Sequence, residues 1–434
     1  MTDVVLFNPP WNPQSSVDGI YYTSPPLDLC LAAAAVEQAG MTVRLFDHNV
    51  QSEASFAGFL AAEKPLVIGL NAPSVALPLA YKALLEIHEW NPKVDVVLMG
   101  QHVSDDPEII AEFGVQYGMP GYAETGFAKL CELLVLKKGR LSDIDGLVHS
   151  VHCNVSIRHT AKTSPDESLL PAWHLAGVKR YAFLSIAASR GCSFQCLYCG
   201  SSGPFCPKSK EYILRSSEAV IAELRHGIMH GMHVYDFIDD VFTHDETFVT
   251  DLCAAILKEK LPIRWTCSTR PDLLTPHLTE VMKQAGCVQV CIGVESGSAA
   301  VRKQIGRDIS DSQIRNAFKA CRRLGVKTRA SALIGLLGET KETIEDTIAF
   351  VRELNPTHAL FYPVILLPGS TLFNLAVKEG MVQKDVWARY MRGEASLPVY
   401  LPKGMTRADI SNYLKEAHRR FYHSLGHFFQ QLLA

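Results

Sequence analysis

The stretch Ser189-Arg190-Gly191-Cys192-Ser193-Phe194-Gln195-Cys196-Leu197-Tyr198-Cys199-Gly200 sets three cysteines at C-x3-C-x2-C spacing, directly after the apolar run Phe183–Ala187. A short apolar run bounded by Gly and polar residues reads as a buried strand, so the cysteines fall on the loop at its carboxyl end. Five more such runs follow: Val234–Ile238, Ile263–Cys267, Val288–Ile292, Thr328–Leu333 and Ala359–Ile365, separated by stretches of helical length. Six βα repeats over 180–370 predict a partial (β/α)6 barrel, whose chemistry belongs at the carboxyl ends of its strands. Three thiolates on one short loop can hold three irons of a [4Fe–4S] cluster. The fourth iron is then left without a protein ligand, and an open metal position points to catalysis. The alternatives are a structural zinc site completed by Cys206, and cysteines that merely pack.

Working back from that loop, residues 139–179 turn polar, with scattered Ser, Thr, His and Pro around Lys162–Asp166, and read as a linker or β-ribbon between domains. Residues 1–138 alternate strand and helix. Val4–Phe7, Val43–Phe46, Val67–Leu70, Val96–Met99 and Val115–Gly118 are the strands, with Leu27–Gln38 and Leu77–Glu89 among the helices. That order predicts a doubly wound open sheet, which binds ligands beyond the carboxyl ends of its strands. Those ends carry Asn8, Asn71 to Ser74, Gly100-Gln101-His102 and Gly121 to Glu124. No G-x-G-x-x-G follows the first strand, which weakens a dinucleotide reading. Residues 371–434 form a C-terminal helical region, with helical apolar spacing over Arg407–Leu433.

The composition agrees with a globular chain of two or three domains and a sizeable core: 434 residues, 47% hydrophobic, 20% charged, net charge −3. That charge gives no general reason to bind nucleic acid or an anionic membrane. The longest helix-like apolar run, Leu29–Val36, is too short to span a bilayer. With no basic leader at the start, a cytoplasmic protein is expected, and twelve cysteines there do not make a disulfide framework.

The spacing C-x3-C-x-aromatic-C, with Tyr198 as the aromatic, resembles that of the radical S-adenosylmethionine (SAM) enzymes. Further segments are similar to theirs: Asp239-Asp240 at the second strand end, Gly293-Val294-Glu295-Ser296-Gly297 after the fourth, Gly335-Leu336-Leu337-Gly338-Glu339-Thr340 with Leu337 in place of proline, and Leu367-Pro368-Gly369-Ser370-Thr371 after the last. The resemblance implies that Cys192, Cys196 and Cys199 bind a [4Fe–4S] cluster. It also implies that SAM chelates the free iron and is cleaved reductively to a 5′-deoxyadenosyl radical. A doubly wound domain ahead of this barrel resembles the cobalamin-binding branch. Where that branch commonly has G-G-P-H, this chain has Gly100-Gln101-His102, and it lacks the D-x-H-x-x-G of histidine-ligated cobalamin proteins.

On this reading SAM is contacted by Tyr198, Arg270, Glu295, Ser296 and Ser331, and cobalamin by Asn8, Ser74, Gly100, His102 and Gly121. Each has a plainer alternative: an N-terminal cap for Glu295 and Ser296, and a salt bridge to Asp272, Asp239 or Asp240 for Arg270. Arg329 shares a strand face with Ser331 and could bind SAM or substrate. Cys287 and Cys291, four apart on one strand, are expected on the same face as packed small hydrophobes. His226, His230 and His233 have zinc-like spacing but no completing ligand, and Phe421 and Tyr422 are expected to pack a terminal helix. The function implied is methyl transfer to an unactivated centre of a small metabolite or peptide, with an external donor such as flavodoxin or ferredoxin supplying electrons. Cyclisation or rearrangement, 3-amino-3-carboxypropyl transfer from SAM, and a non-catalytic cluster or corrinoid sensor are the alternatives.

Overall fold

The computed structural model describes residues 2–10, 24–51, 55–121, 124–151, 154–157, 169–200 and 212–423. Cys206, the Lys162–Asp166 stretch, Tyr122, Ala123 and residues 424–434, which include the end of the expected Arg407–Leu433 helical spacing, lie outside the described residues.

The first sheet has seven strands in the order β2-β1-β3-β4-β5-β6-β7. They are β1 (Val4–Asn8), β2 (Val43–Asp47), β3 (Val67–Asn71), β4 (Asp95–Gly100), β5 (Tyr117–Pro120), β6 (Val148–Val151) and β7 (Asn154–Ile157). The first five are parallel and their apolar residues are buried on both faces, as crossover helices require. These helices are α1 (Leu27–Gln38), α2 (Phe56–Glu63), α3 (Leu77–Trp90), α4 (Gln101–Asp105), α5 (Ile109–Phe113) and α6 (Glu124–Leu136). The polar ribbon after residue 139 is part of this sheet: β6 and β7 pair antiparallel and close its edge against β5. Their polar, alternating residues suit an edge strand with one solvated face, so of the two readings that composition allows, linker or β-ribbon, the ribbon is the one formed. The chain reverses its winding between β1 and β3, and the crevice at that switch point opens at their carboxyl ends.

After α7 (Trp173–Ala176) the second sheet runs β15-β14-β13-β12-β11-β8, all parallel, with a small antiparallel pair of β9 (Ser189–Arg190) and β10 (Ile213–Leu214) beside it. Its strands are β8 (Leu184–Ile186), β11 (Val234–Phe237), β12 (Arg264–Thr269), β13 (Cys287–Glu295), β14 (Lys327–Ile334) and β15 (His358–Pro363). Between and after them come α8 (Ser217–Met229), α9 (Glu246–Lys258), α10 (Pro276–Gln284), α11 (Ala299–Gln304), α12 (Asp311–Arg323) and α13 (Lys341–Leu354). Six strands in sequential order make the partial barrel. One face alternates Tyr235, Phe237, Trp265, Cys267, Val290 and Ile292, buried beneath the helices. The opposite face is the lumen and carries Asp236, Thr266, Ser268, Gln289, Arg329 and Ser331, half-buried.

β13 departs from simple alternation. Trp265 pairs with Cys287 but Thr266 with Gln289, so Val288 is an extra residue. This bulge reverses parity, and Cys287 and Cys291 therefore point to opposite faces instead of sharing one: Cys287 is buried under the helices with Cys267, and Cys291 is half-buried in the lumen. A second shift, between Gly293 and Glu295, inserts Val294 at the strand end.

The chain ends with α14 (Thr371–Lys378), α15 (Val386–Met391) and α16 (Arg407–Tyr422). Thr406 and Asp409 start α16 with reciprocal side-chain to backbone bonds, and Phe421 is buried. The helix lies along β15, where Tyr422 Oη donates to Ala359 O at 2.9 Å and accepts from Ala359 N at 3.3 Å. It thereby supplies the bonds a further strand would make to an open edge. Among the described residues no helix is long and apolar enough to cross a membrane. Replacing Tyr422 by Phe removes both edge bonds at a cost of about 1 kcal/mol. Amide hydrogen exchange of residues 358–361 should speed up, and exchange equal to that of the unmodified chain would show that the helix does not protect this edge.

Candidate active site

The cysteine loop begins where β8 ends. Asp239, at the end of β11, accepts from Ala188 N at 3.1 Å and from Ser189 Oγ, fixing the exit of the chain. Burial raises its carboxyl to about 6. The loop rests on the segment after β13: Leu197 N donates to Ile305 O at 3.1 Å, and Leu372 N donates to Leu197 O at 2.8 Å. Gly306 is required at this contact, with φ +79 and with Gln195 O only 2.9 Å from where a Cβ would stand.

Arg307 joins the loop to the barrel. Its Nη2 donates to Gly293 O at 3.1 Å, its Nη1 stands 3.5 Å from Glu295 Oε1, and Nη1 approaches Cys196 Sγ at 4.0 Å. All three side chains are buried. Burial raises the Glu295 carboxyl; Arg307 and the Tyr198 hydroxyl pull the other way. Burial also raises the Tyr198 hydroxyl and the Cys192 thiol. Sequence reasoning missed Arg307, which belongs to no motif and lies twelve positions after the glutamate it pairs with.

The structure separates the residues expected around SAM. Tyr198 and Glu295 meet beside Arg307. Arg270 forks onto Asp272 through Nε–Oδ1 at 3.1 Å and Nη2–Oδ2 at 2.9 Å, and its guanidinium lies 3.7 Å from the ring centroid of Phe194 in the cysteine loop. Its Nη1 is buried without a partner. Ser331 is half-buried in the lumen. Ser296 is fully buried, with Oγ 3.2 Å from Thr347 Oγ1, and braces α13 instead of facing the lumen. The N-cap of α11 is Ser298. Glu339 accepts from Gly335 N at 2.7 Å and Leu336 N at 2.9 Å through Oε2, while Oε1 has no partner. Burial pushes its carboxyl up to about 7. The ring nitrogens of His226 and His233 meet the carbonyls of Pro171 and Pro262.

At the carboxyl ends of the first sheet a polar chain crosses the switch point. Tyr181 Oη donates to Asp47 Oδ2 at 2.8 Å, Asn8 Nδ2 to Asp47 Oδ1 at 3.1 Å, and Asn71 Nδ2 to Asn8 Oδ1 at 2.9 Å. Gly100, with φ +109, closes this row: a Cβ there would stand 2.7 Å from Asn71 Oδ1. Gly121 N donates to Ser104 Oγ at 2.7 Å. His102 is fully buried, its Nδ1 2.9 Å from Ser74 Oγ and its ring 5.0 Å from Trp387 on α15. Burial holds the imidazole neutral, pushed down to about 3, and its Nε2 has no partner. Asp105 is buried too, its carboxyl raised to about 8 by burial, with Oδ2 unpartnered. Asp47, Ser104 and Asp105, which line the crevice with these residues, were not singled out from the sequence, although each lies at a strand end or in the turn after one.

These donors suit the groups that the sequence implies. Among the described residues no three His, Cys, Asp or Glu side chains converge on a single ion. Three cysteines spread along one loop, with a guanidinium beside the buried one, suit a multi-iron cluster of thiolates. The strand-end crevice offers amides, hydroxyls and main-chain groups, which suit the amide-rimmed ring of a corrinoid. The end of the cysteine loop meets the sheet's strand-end turn: a Cβ at Gly200 would stand 3.5 Å from Asp105 Oδ2.

Residues 186–351 match the family model of the Radical SAM superfamily, and residues 17–131 that of the B12 binding domain. An uncharacterised methyltransferase of Pyrococcus horikoshii is 30% identical over 92% of this chain and 88% of its own length. The anaerobic magnesium-protoporphyrin IX monomethyl ester cyclase of Rubrivivax gelatinosus is 24% identical over 92% and 74%. The solved structure of the radical SAM methyltransferase TsrM from Kitasatospora setae, with cobalamin and a [4Fe–4S] cluster bound, superposes with a TM-score of 0.74 over 97% of this chain and 85% of that one, at 17% identity. The chain belongs to the radical SAM superfamily, in the branch that carries a B12-binding domain. It is a radical SAM enzyme whose cofactors are a [4Fe–4S] cluster, SAM and cobalamin.

Two outcomes test the site. Replacing Cys192, Cys196 and Cys199 together by Ala should leave anaerobically reconstituted protein without bound iron, and iron retained at the unmodified level would refute the ligand set. Glu339 binds its proton more tightly folded than unfolded, so its contribution to stability is present below about pH 4.5 and is lost as pH rises through about 7. Glu339→Gln should therefore flatten the stability profile of the cofactor-free protein across that window by about 1–3 kcal/mol. Denaturant melts at stepped pH measure this, and an unchanged slope would show the carboxyl to be unshifted.

Proposed function

We propose that the chain is a cobalamin-dependent radical SAM methyltransferase acting on an unactivated centre of a small molecule. The observation that carries this reading is the joining of the two crevices. Arg190, two residues before the first cysteine, pairs with Glu124 on α6 at 2.7 Å, and Tyr181 reaches Asp47 at the end of β2. The first contact ties the sheet to the barrel mouth, and the second ties the end of β2 to the segment that leads into β8. When bound, the cluster supplies the electron for reductive cleavage of SAM, and the corrinoid carries the methyl group.

The protein's part is to hold and to exclude. Cys192, Cys196 and Cys199 hold the iron, and the Arg307 guanidinium stands 4.0 Å from the Cys196 sulfur. The free Nη1 of Arg270 is suited to the SAM carboxylate, Glu295 to its amino group, and Ser331 to a hydroxyl. Asn8, Asn71, Ser104 and the backbone at Gly100 and Gly121 are suited to the corrinoid's amides. His102, neutral and packed on Trp387, together with Asp105, keeps the floor between the domains dry. The reductant is external, of flavodoxin or ferredoxin type, in a cytoplasmic setting where these thiols stay reduced.

Several relatives are methylases by name, including the cytidylyl-2-hydroxyethylphosphonate methyltransferase of Streptomyces wedmorensis and the hopanoid C-3 methylase of Methylococcus capsulatus. Incubation of reconstituted protein with SAM, reductant and substrate should yield 5′-deoxyadenosine and S-adenosylhomocysteine in near-equal amounts. 5′-Deoxyadenosine without S-adenosylhomocysteine would make the chain a cyclase or rearrangement enzyme. Methylthioadenosine as the main product would make it a 3-amino-3-carboxypropyl transferase.

A further inference from the structure

Each of the five buried arginines in the described residues has a carboxylate partner: Arg190 with Glu124, Arg215 with Glu223, Arg270 with Asp272, Arg302 with Asp311, and Arg307 with Glu295. This is what the cost of desolvating a charge requires. Arg329 breaks the pattern. It lies on the lumen face of β14, half-buried, its Nε closed off from solvent and unpartnered, and among the described residues no carboxylate comes within ion-pairing distance. Its neighbour in strand register is the thiol of Cys291. The one acidic group on its side of the lumen is Asp236, on β11, whose Oδ1 is taken by Thr266 Oγ1 at 2.5 Å. An arginine cannot shed its proton, and Asp236 acts on it only from across the lumen, so the Nε of Arg329 is left without an acceptor of its own.

The surroundings fix what kind of anion. Above Arg329 on the same strand face come Ser331 and then Leu333, and toward the mouth two large side chains, Ile238 and Tyr362, are exposed. We propose that the lumen binds a substrate with a planar or tetrahedral oxyanion head, a carboxylate or a phosphate or phosphonate, seated on Arg329, and an apolar or aromatic body lying against Ile238 and Tyr362. This rests on the barrel being the substrate chamber of the reaction proposed above, and it sets the position of that reaction on the substrate. Arg329 stands two residues below Ser331, roughly 7 Å of strand rise, and further below the cysteine loop at the mouth. With its head held at that depth, the substrate presents its body to the mouth, so the centre that reacts is several bonds from the anion and is not the carbon that bears it. A guanidinium fork accepts either oxyanion in bidentate fashion.

The test uses the reconstituted, cluster-loaded chain and three probes with one body: 4-phenylbutyrate, 3-phenylpropylphosphonate and 4-phenylbutanamide, with binding read by ligand-observed NMR and calorimetry. Both acids should bind at least about tenfold more tightly than the amide. Arg329→Gln should abolish that preference with iron content and SAM affinity unchanged, and Arg329→Lys should restore part of it. Equal binding of acid and amide by the unmodified chain would overturn the proposal, as would a preference that survives in Arg329→Gln. A loss of SAM affinity in Arg329→Gln would overturn it as well, by giving the guanidinium to the SAM carboxylate. Binding is read without turnover, so an acid preference in a chain that forms no S-adenosylhomocysteine upholds the anion site and refutes only the methyltransferase reading.

Discussion

The guanidinium of Arg307 is where barrel and cysteine loop become one object. Glu295 has φ +61, a left-handed backbone that a residue with a Cβ adopts at a cost of about 1–3 kcal/mol. It does so at the end of β13, where an extra residue shifts the register. The conformation persists because Arg307 and Tyr198 hold the carboxylate from two sides. The same guanidinium donates to Gly293 O and reaches Cys196. Removing either charge leaves the other buried and alone, which costs about 3–5 kcal/mol. The strain is therefore kept where the cluster loop must be placed, and a stable backbone alternative would let that loop drift from the strand ends.

A second constraint acts between the domains. The sheet's two faces feed two cores, one running through α1 and α6 into the barrel's helical layer, the other through α3 into α14 and α15. Ion pairs and hydrogen bonds at the rim then set the angle at which these cores meet. Arg190 to Glu124 is buried and charged, so it is directional and intolerant of a lost partner. Tyr390 Oη on α15 donates to Val75 O at 2.8 Å, tying the C-terminal helices to the turn after β3. The C-terminal region is thus a wedge that fixes the first domain against the second, which explains why fully buried His102 and Trp387 face each other there.

Most of the architecture was legible in the sequence because parallel strands are buried on both faces and so appear as unbroken apolar runs. All six barrel strands and the first five sheet strands were found that way. The ribbon β6–β7 was not placed, since an edge strand with a wet face has the composition of a linker. The same-face expectation for Cys287 and Cys291 failed on one inserted residue, Val288, and a bulge leaves no mark in composition. At the site, the three cysteines stand out in the sequence because spacing on a loop is visible without tertiary knowledge, and they remain the proposed ligands. Ser296 was misplaced because a hydroxyl at a strand end has two directions to turn, and only the position of Thr347 on α13 decides between them. Arg307 was invisible for a related reason: its partners come from a strand end and a loop far apart in the chain.

The pairing of arginines carries one more consequence for specificity. A fold that neutralises each buried guanidinium with its own carboxylate spends those charges on rigidity, because a fixed ion pair has little free energy left to offer a ligand. An unpaired one in the lumen does the opposite. Half-buried in the lumen with its Nε shut off from solvent, it is partly desolvated before a ligand arrives, so an incoming oxyanion gains a stronger attraction there than at the surface. That asymmetry rejects a neutral analogue by leaving the arginine unsatisfied, a stronger filter than apolar contact with Ile238 and Tyr362 provides. The head group then selects and the apolar contact only orients, which lets one barrel hold a flexible body in the single register that brings its reacting centre to the mouth.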